Sequence, residues 1–255
     1  MFDILYQDEH LVAIHKPAGM LVHRSELDAH EQLVVLQLLG AQLGVHLYPV
    51  HRLDKATSGV LMFALSANAA RLIQAGFENK RINKTYIAIV RGHSESHGEI
   101  DHPLSDKRDQ RRAGASVAAR EWPAKPARTT YQRLLTTEVP YACGRYDSSR
   151  YSLLALFPET GRRHQLRRHM KHISHPIIGD TTYGQGRHNR LFREHFNSHR
   201  LLLCAYRLSL SHPINNTPLD FFTELDANFM NTANALGWSS IDVSGALDSC
   251  CGIHQ

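Results

Sequence analysis

The chain has no long hydrophobic run. Its apolar stretches are short, Val60 to Leu65 being typical, and none approaches the roughly 20 residues a membrane helix requires. The opening Met1-Phe2-Asp3-Ile4 lacks the basic, then apolar, then small-residue order of a signal peptide, so a soluble cytoplasmic protein is expected. Cysteine is scarce: Cys143, Cys204, Cys250 and Cys251 form no CxxC pair, which suggests neither a zinc site nor a disulfide framework. A P-loop, a Gly-rich dinucleotide fingerprint and internal repeats are also missing. Histidine is the exception, with 18 in the chain. His164, His169, His172 and His175 crowd one stretch, but no carboxylate stands at zincin spacing among them, and no metal is expected.

At 255 residues and 42% hydrophobic, the chain can bury a sizeable core, and its ordinary composition excludes a disordered chain or a fibre. A single domain over residues 1–240 with a tail at 241–255 is expected. The net charge of +5 is regional: Lys107 to Lys171 hold 15 Lys and Arg against 5 Asp and Glu, while the remainder holds 14 against 19. A concentrated positive surface is the footprint of a phosphate-bearing partner. Taken alone, Lys107 to Arg120 also fits a solvated Arg-rich loop.

Strands are expected at Ile4–Tyr6 and Leu11–His15, before a Lys16-Pro17-Ala18-Gly19 breaker. Asp28 with Glu31 has capping-box spacing ahead of an apolar helix from Leu33 to Leu43, which Gly44 can stop. Gly59–Leu65 reads as a core strand, and Ser66 can cap a helix through Phe77 whose Leu72, Ile73 and Phe77 face the sheet. Further strands are expected at Lys84–Val90, Thr129–Leu135, Tyr151–Phe157 and Leu201–Leu210, with a polar loop at Arg91–Glu99. Helices are expected around Gln165–His172 and Leu225–Leu236. Strands and helices interleave without regular βαβ alternation, which predicts an α+β fold with a largely antiparallel mixed sheet and no appended domain.

The most specific run is His51-Arg52-Leu53-Asp54-Lys55-Ala56-Thr57-Ser58-Gly59, immediately before the strand Val60 to Leu65. It sets a carboxylate in a tight turn between two cations, which favour its ionised form and its use as nucleophile or base. By itself the segment equally fits an Asx-turn with a surface Arg.

That run, with Lys84-Thr85-Tyr86, Thr160-Gly161-Arg162-Arg163-His164-Gln165-Leu166-Arg167, Lys16-Pro17-Ala18-Gly19, His175-Pro176-Ile177-Ile178-Gly179-Asp180 and Leu208-Ser209-Leu210-Ser211-His212-Pro213, resembles the RluA family of pseudouridine synthases. The likeness runs from Ile4 to about Phe222. Val22-His23-Arg24-Ser25, Leu27-Asp28, Gly144-Arg145-Tyr146, Arg150-Tyr151, Arg168-His169, His172 and Asn189-Arg190 are most similar to the branch that modifies uridine 65 of certain tRNAs. Two positions depart from that pattern: Cys204 stands where the family usually has His, and Tyr183 where the branch tends to have His.

The resemblance implies a catalytic fold of the pseudouridine synthase type, a tRNA substrate with rRNA or a non-catalytic RNA-binding role as alternatives, and no membrane or obligate protein partner, the chain acting as a monomer. Net atoms are unchanged in the isomerisation, so it implies no cofactor. It assigns Asp54 as the catalytic carboxylate, Arg167 as its basic partner through a bidentate guanidinium, and Tyr86 as the ring stacked on the target uracil and an aid to removal of the C5 proton. Whether the carboxylate attacks ribose C1′, attacks uracil C6 or removes a ribose proton is left open. Arg52 would fill the space of a base flipped from the RNA. His51, Thr57, Gly161, Arg162, His164 and Arg168 are further substrate-binding candidates, and Arg108, Arg111, Arg112, Arg120 and Arg163 would grip phosphates.

Overall fold

A computed structural model describes residues 1–23, 34–105, 123–238 and 245. The Asp28–Glu31 cap, Arg24, Arg108, Arg111, Arg112, Arg120 and the Cys250-Cys251 pair lie outside them. In chain order the elements are β1 (Ile4–Gln7), β2 (Leu11–Lys16), α1 (Val35–Leu43), β3 (Tyr48–Pro49), β4 (Ser58–Ala64), α2 (Ala67–Glu78), β5 (Asn83–Arg91), β6 (His97–Asp101), β7 (Arg128–Val139), β8 (Ser149–Pro158), α3 (Gln165–His172), α4 (Gly186–Phe196), β9 (Leu203–Ser211), β10 (Pro218–Phe222) and α5 (Ala227–Ala235). One mixed sheet orders them β1-β2-β4-β9-β5-β8-β7-β6, with β3 on β4 and β10 on β9.

Among the described strands, only β4 and β9 pair in parallel, through Ser58 with Cys204 and Gly59 with Ala205. This junction joins the chain's first third to its last, and it is tight. Gly59 has φ +118°, and a Cβ there would stand 2.2 Å from the Ala205 carbonyl oxygen. Gly179, at φ +80°, approaches Arg200 just as closely. Only glycine fits either place. Beyond Ala205, β10 takes over the edge of β9, from Arg207 to Ser211.

Strand alternation divides the core. On one face, Leu11, Ala13, Val60 and Met62 pack under α2, and Ile87, Ile89, Leu153 and Cys204 under α4 and α5. On the other, Val12, Ile14, Leu61 and Phe63 meet Val35 and Leu39 of α1, while Ala88, Val90, Leu154 and Leu156 meet Leu166 and Met170 of α3. Each fully buried Leu, Ile or Phe stabilises the fold by roughly 2 kcal/mol.

Several boundaries differ from the sequence expectation. Gly44 does end α1 in the left-handed region, but the cap is Val34, without a side-chain bond. Ser66 caps α2 by accepting from Ala69, yet the buried residues are Ala69, Ala70 and Ile73, and Leu72 is only partly covered. β6 begins inside the expected polar loop, at His97. Polar alternation hid that edge strand, since only Ile100 of it is buried. Helix α4 has no counterpart in the sequence expectation because Arg, His and Asn dominate it, and its buried apolar contribution is only Leu191 and Phe192.

Candidate active site

The turn before β4 carries Asp54 across the seam between the two clusters on the α1/α3 face. Leu53 belongs to the α1 cluster and Ala56 packs against the α3 cluster. Tyr86, on β5 opposite Ala205, packs against both. Since Ala205 also pairs with Gly59, one β9 residue lies between the strand of Tyr86 and the strand that follows Asp54. Thr57, buried, closes the turn with its N–H on the Asp54 carbonyl at 3.0 Å.

Arg167 reaches this turn from α3: its Nη1 is 3.3 Å from Asp54 Oδ2. The structure corrects the expected bidentate pairing. Both arms of the fork go instead to Asp180, Nε to Oδ2 at 2.7 Å and Nη2 to Oδ1 at 2.8 Å. Asp180 is buried, and burial alone would raise its pKa. The Arg167 bonds and the N–H groups of Tyr183 and Thr182 outweigh that and hold it below the usual carboxylate range. Burial would depress the Arg167 pKa, but its two carboxylate partners raise it. Asn189 of α4 fastens the Asp180 loop by donating to its carbonyl and accepting from the Gly179 N–H, each at 2.9 Å.

On the other side of the turn lies Lys16, which the sequence places in a breaker and in a motif of the resemblance but among no site residues. Lys16 is fully buried, and its ammonium donates to the carbonyls of Pro17 at 2.7 Å, Met20 at 2.9 Å and Lys55 at 3.3 Å. Burial, with help from Arg200, pushes its pKa down to about 7, while Asp54 pulls it back up. The Gly19 N–H also donates to the Lys55 carbonyl, at 2.7 Å. The Asp54 turn is thereby tied to the loop after β2.

Tyr86 is held neutral: burial and then the Asp54 charge raise its pKa. His164 lies at the start of α3 with a left-handed backbone, φ 53°. Its Nε2 is 3.8 Å from Asp54 Oδ1 and its Nδ1 3.1 Å from the Tyr183 hydroxyl. Burial pushes its pKa down to about 4, against the pull of Asp54.

The remaining candidates separate. His51 is not brought to this site: its Nε2 accepts from Met62 N–H at 2.9 Å and its ring lies 5.3 Å from that of Phe77, on the α2 face. Burial drives its pKa down to about 3. Arg52 is exposed, and its charge adds to the burial that depresses His23. Gly161 is exposed with open space where a Cβ would stand. Arg162 donates to the Pro126 carbonyl at 3.0 Å, and Arg168 is half-buried on α3. Gln165 pins the loop before α3, accepting from Thr160 at 2.7 Å and from Arg162 N–H at 3.0 Å. The other histidines of the cluster serve the scaffold. His169 lies between the Thr129 hydroxyl and the His102 carbonyl, His172 stacks on His102 with ring centres 3.8 Å apart, and His175 meets the Arg91 carbonyl.

A partly exposed carboxylate, in contact with a buried guanidinium and set beside a neutral tyrosine ring, suits covalent or general-base chemistry on a planar substrate. Residues 10–172 match the family model described as RNA pseudouridylate synthase. The chain is 48% identical over 238 residues to tRNA pseudouridine synthase C of Vibrio cholerae, covering 93% of this chain and 97% of that one. It is 46% identical over 241 residues to the protein of that name in Haemophilus influenzae, covering 94% and 100%. Among solved structures, human RNA pseudouridylate synthase domain containing 4 superposes with a TM-score of 0.69 at 28% identity, covering 92% of this chain and 93% of that one.

Proposed function

The chain belongs to the RNA pseudouridylate synthase family, and from that premise we propose that it converts uridine 65 of tRNA to pseudouridine, with Asp54 as the carboxylate that opens the reaction. Family membership makes it an enzyme that isomerises uridine in RNA. The observation that carries the assignment is the seam itself, where Asp54, Arg167 and Tyr86 come from segments remote in sequence. The tRNA substrate rests on the likeness to the bacterial enzymes named above.

In this reading the target uridine leaves the RNA stack, because protein cannot surround C1′ and C5 while the base is paired. The N1–C1′ bond breaks, the uracil turns, and C5 joins C1′. The proton lost from C5 is balanced by one gained at N1. Arg167 keeps the Asp54 carboxylate oriented. Tyr86 supplies the stacking face, and as a neutral phenol of raised pKa it is poorly suited to take the C5 proton itself. Arg52, exposed beside the turn, would fill the vacated place in the stack. Residues 1–240 would act as one catalytic domain, as a monomer in the cytoplasm.

The test is to incubate the enzyme with unmodified tRNA and rRNA transcripts and to map pseudouridine by carbodiimide labelling and primer extension. Modification at tRNA position 65 is expected, and modification of rRNA alone would overturn the substrate assignment. Asp54→Ala and Asp54→Asn should bind tRNA but release no tritium from C5-labelled uridine. Turnover in either removes Asp54 from its role.

A further inference from the structure

Beyond the groups already given a role, Tyr183 lies in the turn after Asp180 and touches three parts of the site at once. Its N–H donates to Asp180 Oδ1 at 2.9 Å, its ring faces the Arg167 guanidinium at 5.2 Å, and its hydroxyl is 3.1 Å from His164 Nδ1. The rings of Tyr183 and His164 meet edge to face, with centres 5.6 Å apart. His164 itself occupies a backbone conformation, φ 53°, that side-chain-bearing residues rarely adopt. Such a conformation persists where surrounding contacts over-determine it, and at sites its side-chain aim is often the reason.

The hydrogen positions follow from elementary chemistry. A neutral imidazole carries one N–H and one lone pair. Its Nε2 faces Asp54 Oδ1 at 3.8 Å, and an ionised carboxylate only accepts. A lone pair on Nε2 would repel it, whereas an N–H there is attracted. The hydrogen therefore belongs on Nε2, which leaves Nδ1 to accept from the Tyr183 hydroxyl. We infer that Tyr183 is a positioning residue of this active site: its hydroxyl selects the His164 tautomer whose Nε2–H is aimed at Asp54 Oδ1, on the carboxylate edge that Arg167 leaves uncovered.

Each Asp54 oxygen then faces a different group, Oδ2 the Arg167 guanidinium at 3.3 Å and Oδ1 the His164 Nε2 at 3.8 Å. The depressed pKa of His164, about 4, agrees with a neutral ring at neutral pH. The inference rests on the assignment of Asp54 as the opening carboxylate.

Tyr183→Phe is the informative variant, because the ring that faces Arg167 remains and only the hydroxyl is lost. Single-turnover and steady-state kinetics on tRNA should show kcat lowered by about 10-fold with KM unchanged, the scale of one hydrogen bond. His164→Ala should lower kcat at least as much. His164→Gln, which keeps an N–H donor at similar reach, should recover part of the loss. Adding Tyr183→Phe to His164→Ala should cost nothing further, since the hydroxyl acts only through the ring. Wild-type kcat in Tyr183→Phe, an effect confined to KM, or additive losses in the double variant would each overturn the inference. Asp54→Asn separates it from the underlying assignment: an active Asp54→Asn enzyme sinks that assignment, whereas a dead one beside a fully active Tyr183→Phe sinks only the tautomer role.

Discussion

The two sides of the Asp54 turn are held by buried basic groups that are satisfied in opposite ways. On the α3 side, Arg167 lies between two carboxylates, and its charge is permanent. On the β2 side, the hydrogen bonds of Lys16 among the described residues go to backbone carbonyls, and its charge is conditional, with a pKa pushed down to about 7. The two groups therefore do different work. A planar fork can tie two carboxylates together and orient one for chemistry. A compact ammonium with three donors gathers carbonyls from two loops and sets where the turn sits.

The comparison breaks most sharply at Arg167. Arg167→Ala should lower kcat by about 10²- to 10³-fold, the scale of losing a preorganised electrostatic partner, whereas Arg168→Ala, one residue on, should change kcat by less than about 5-fold and act on KM through phosphate contact. Equal and mild effects in single-turnover assays would show that Arg167 does no more than a surface cation. Asp180→Ala comes next. It leaves the buried guanidinium one weak partner, and chemical denaturation should report a loss of about 3 kcal/mol, near the lower end for breaking a buried pair. If stability is unchanged, Arg167 does not depend on Asp180.

Lys16→Met should be gentler, lowering kcat by about 10-fold through a misplaced turn. A KM effect without a kcat effect would mean the lysine serves RNA binding instead. Its pH signature sharpens the contrast further. The folded Lys16 pKa lies below its unfolded value of 10.5, so its contribution to stability is present above pH 10.5, is lost as pH falls toward 7, and is flat below. Thermal midpoints of wild type minus Lys16→Met should therefore rise from pH 7 to 10. A flat difference would place Lys16 in contact with solvent.

The smallest effect belongs to the α3 side in mild acid. His164, depressed from 6.5 to about 4, favours the fold above pH 6.5, and that contribution is lost as pH falls to 4. The midpoint of wild type minus His164→Gln should fall across that window, before Asp180, itself held below 3.8, begins to titrate. A difference independent of pH would contradict the desolvated ring.

Much of this site was legible in contiguous runs. His51 to Gly59 and Thr160 to Arg167 located the turn and the helix, and local capping signals located Gly44 and Ser66. What could not be read is pairing at a distance. The Arg167 fork goes to Asp180 rather than Asp54, yet nothing in the spacing of the three residues ranks the two carboxylates. His51 adjoins the site in sequence but points to the other face of the sheet. Lys16 looked like punctuation before a proline because its three acceptors are carbonyls, which every residue carries.

By itself, then, the amino-acid order determined the local vocabulary: an α+β chain, a carboxylate turn ahead of a core strand, and a basic helix. Those are properties of neighbours along the chain, set by periodicity, capping and short-range charge. Which carboxylate receives the guanidinium, which face each histidine takes, and that Tyr183 meets His164 were decided only when β4 and β9 closed in parallel at Gly59 and Ala205. Burial then left each polar group to find its partner among whatever segments that closure had brought within reach.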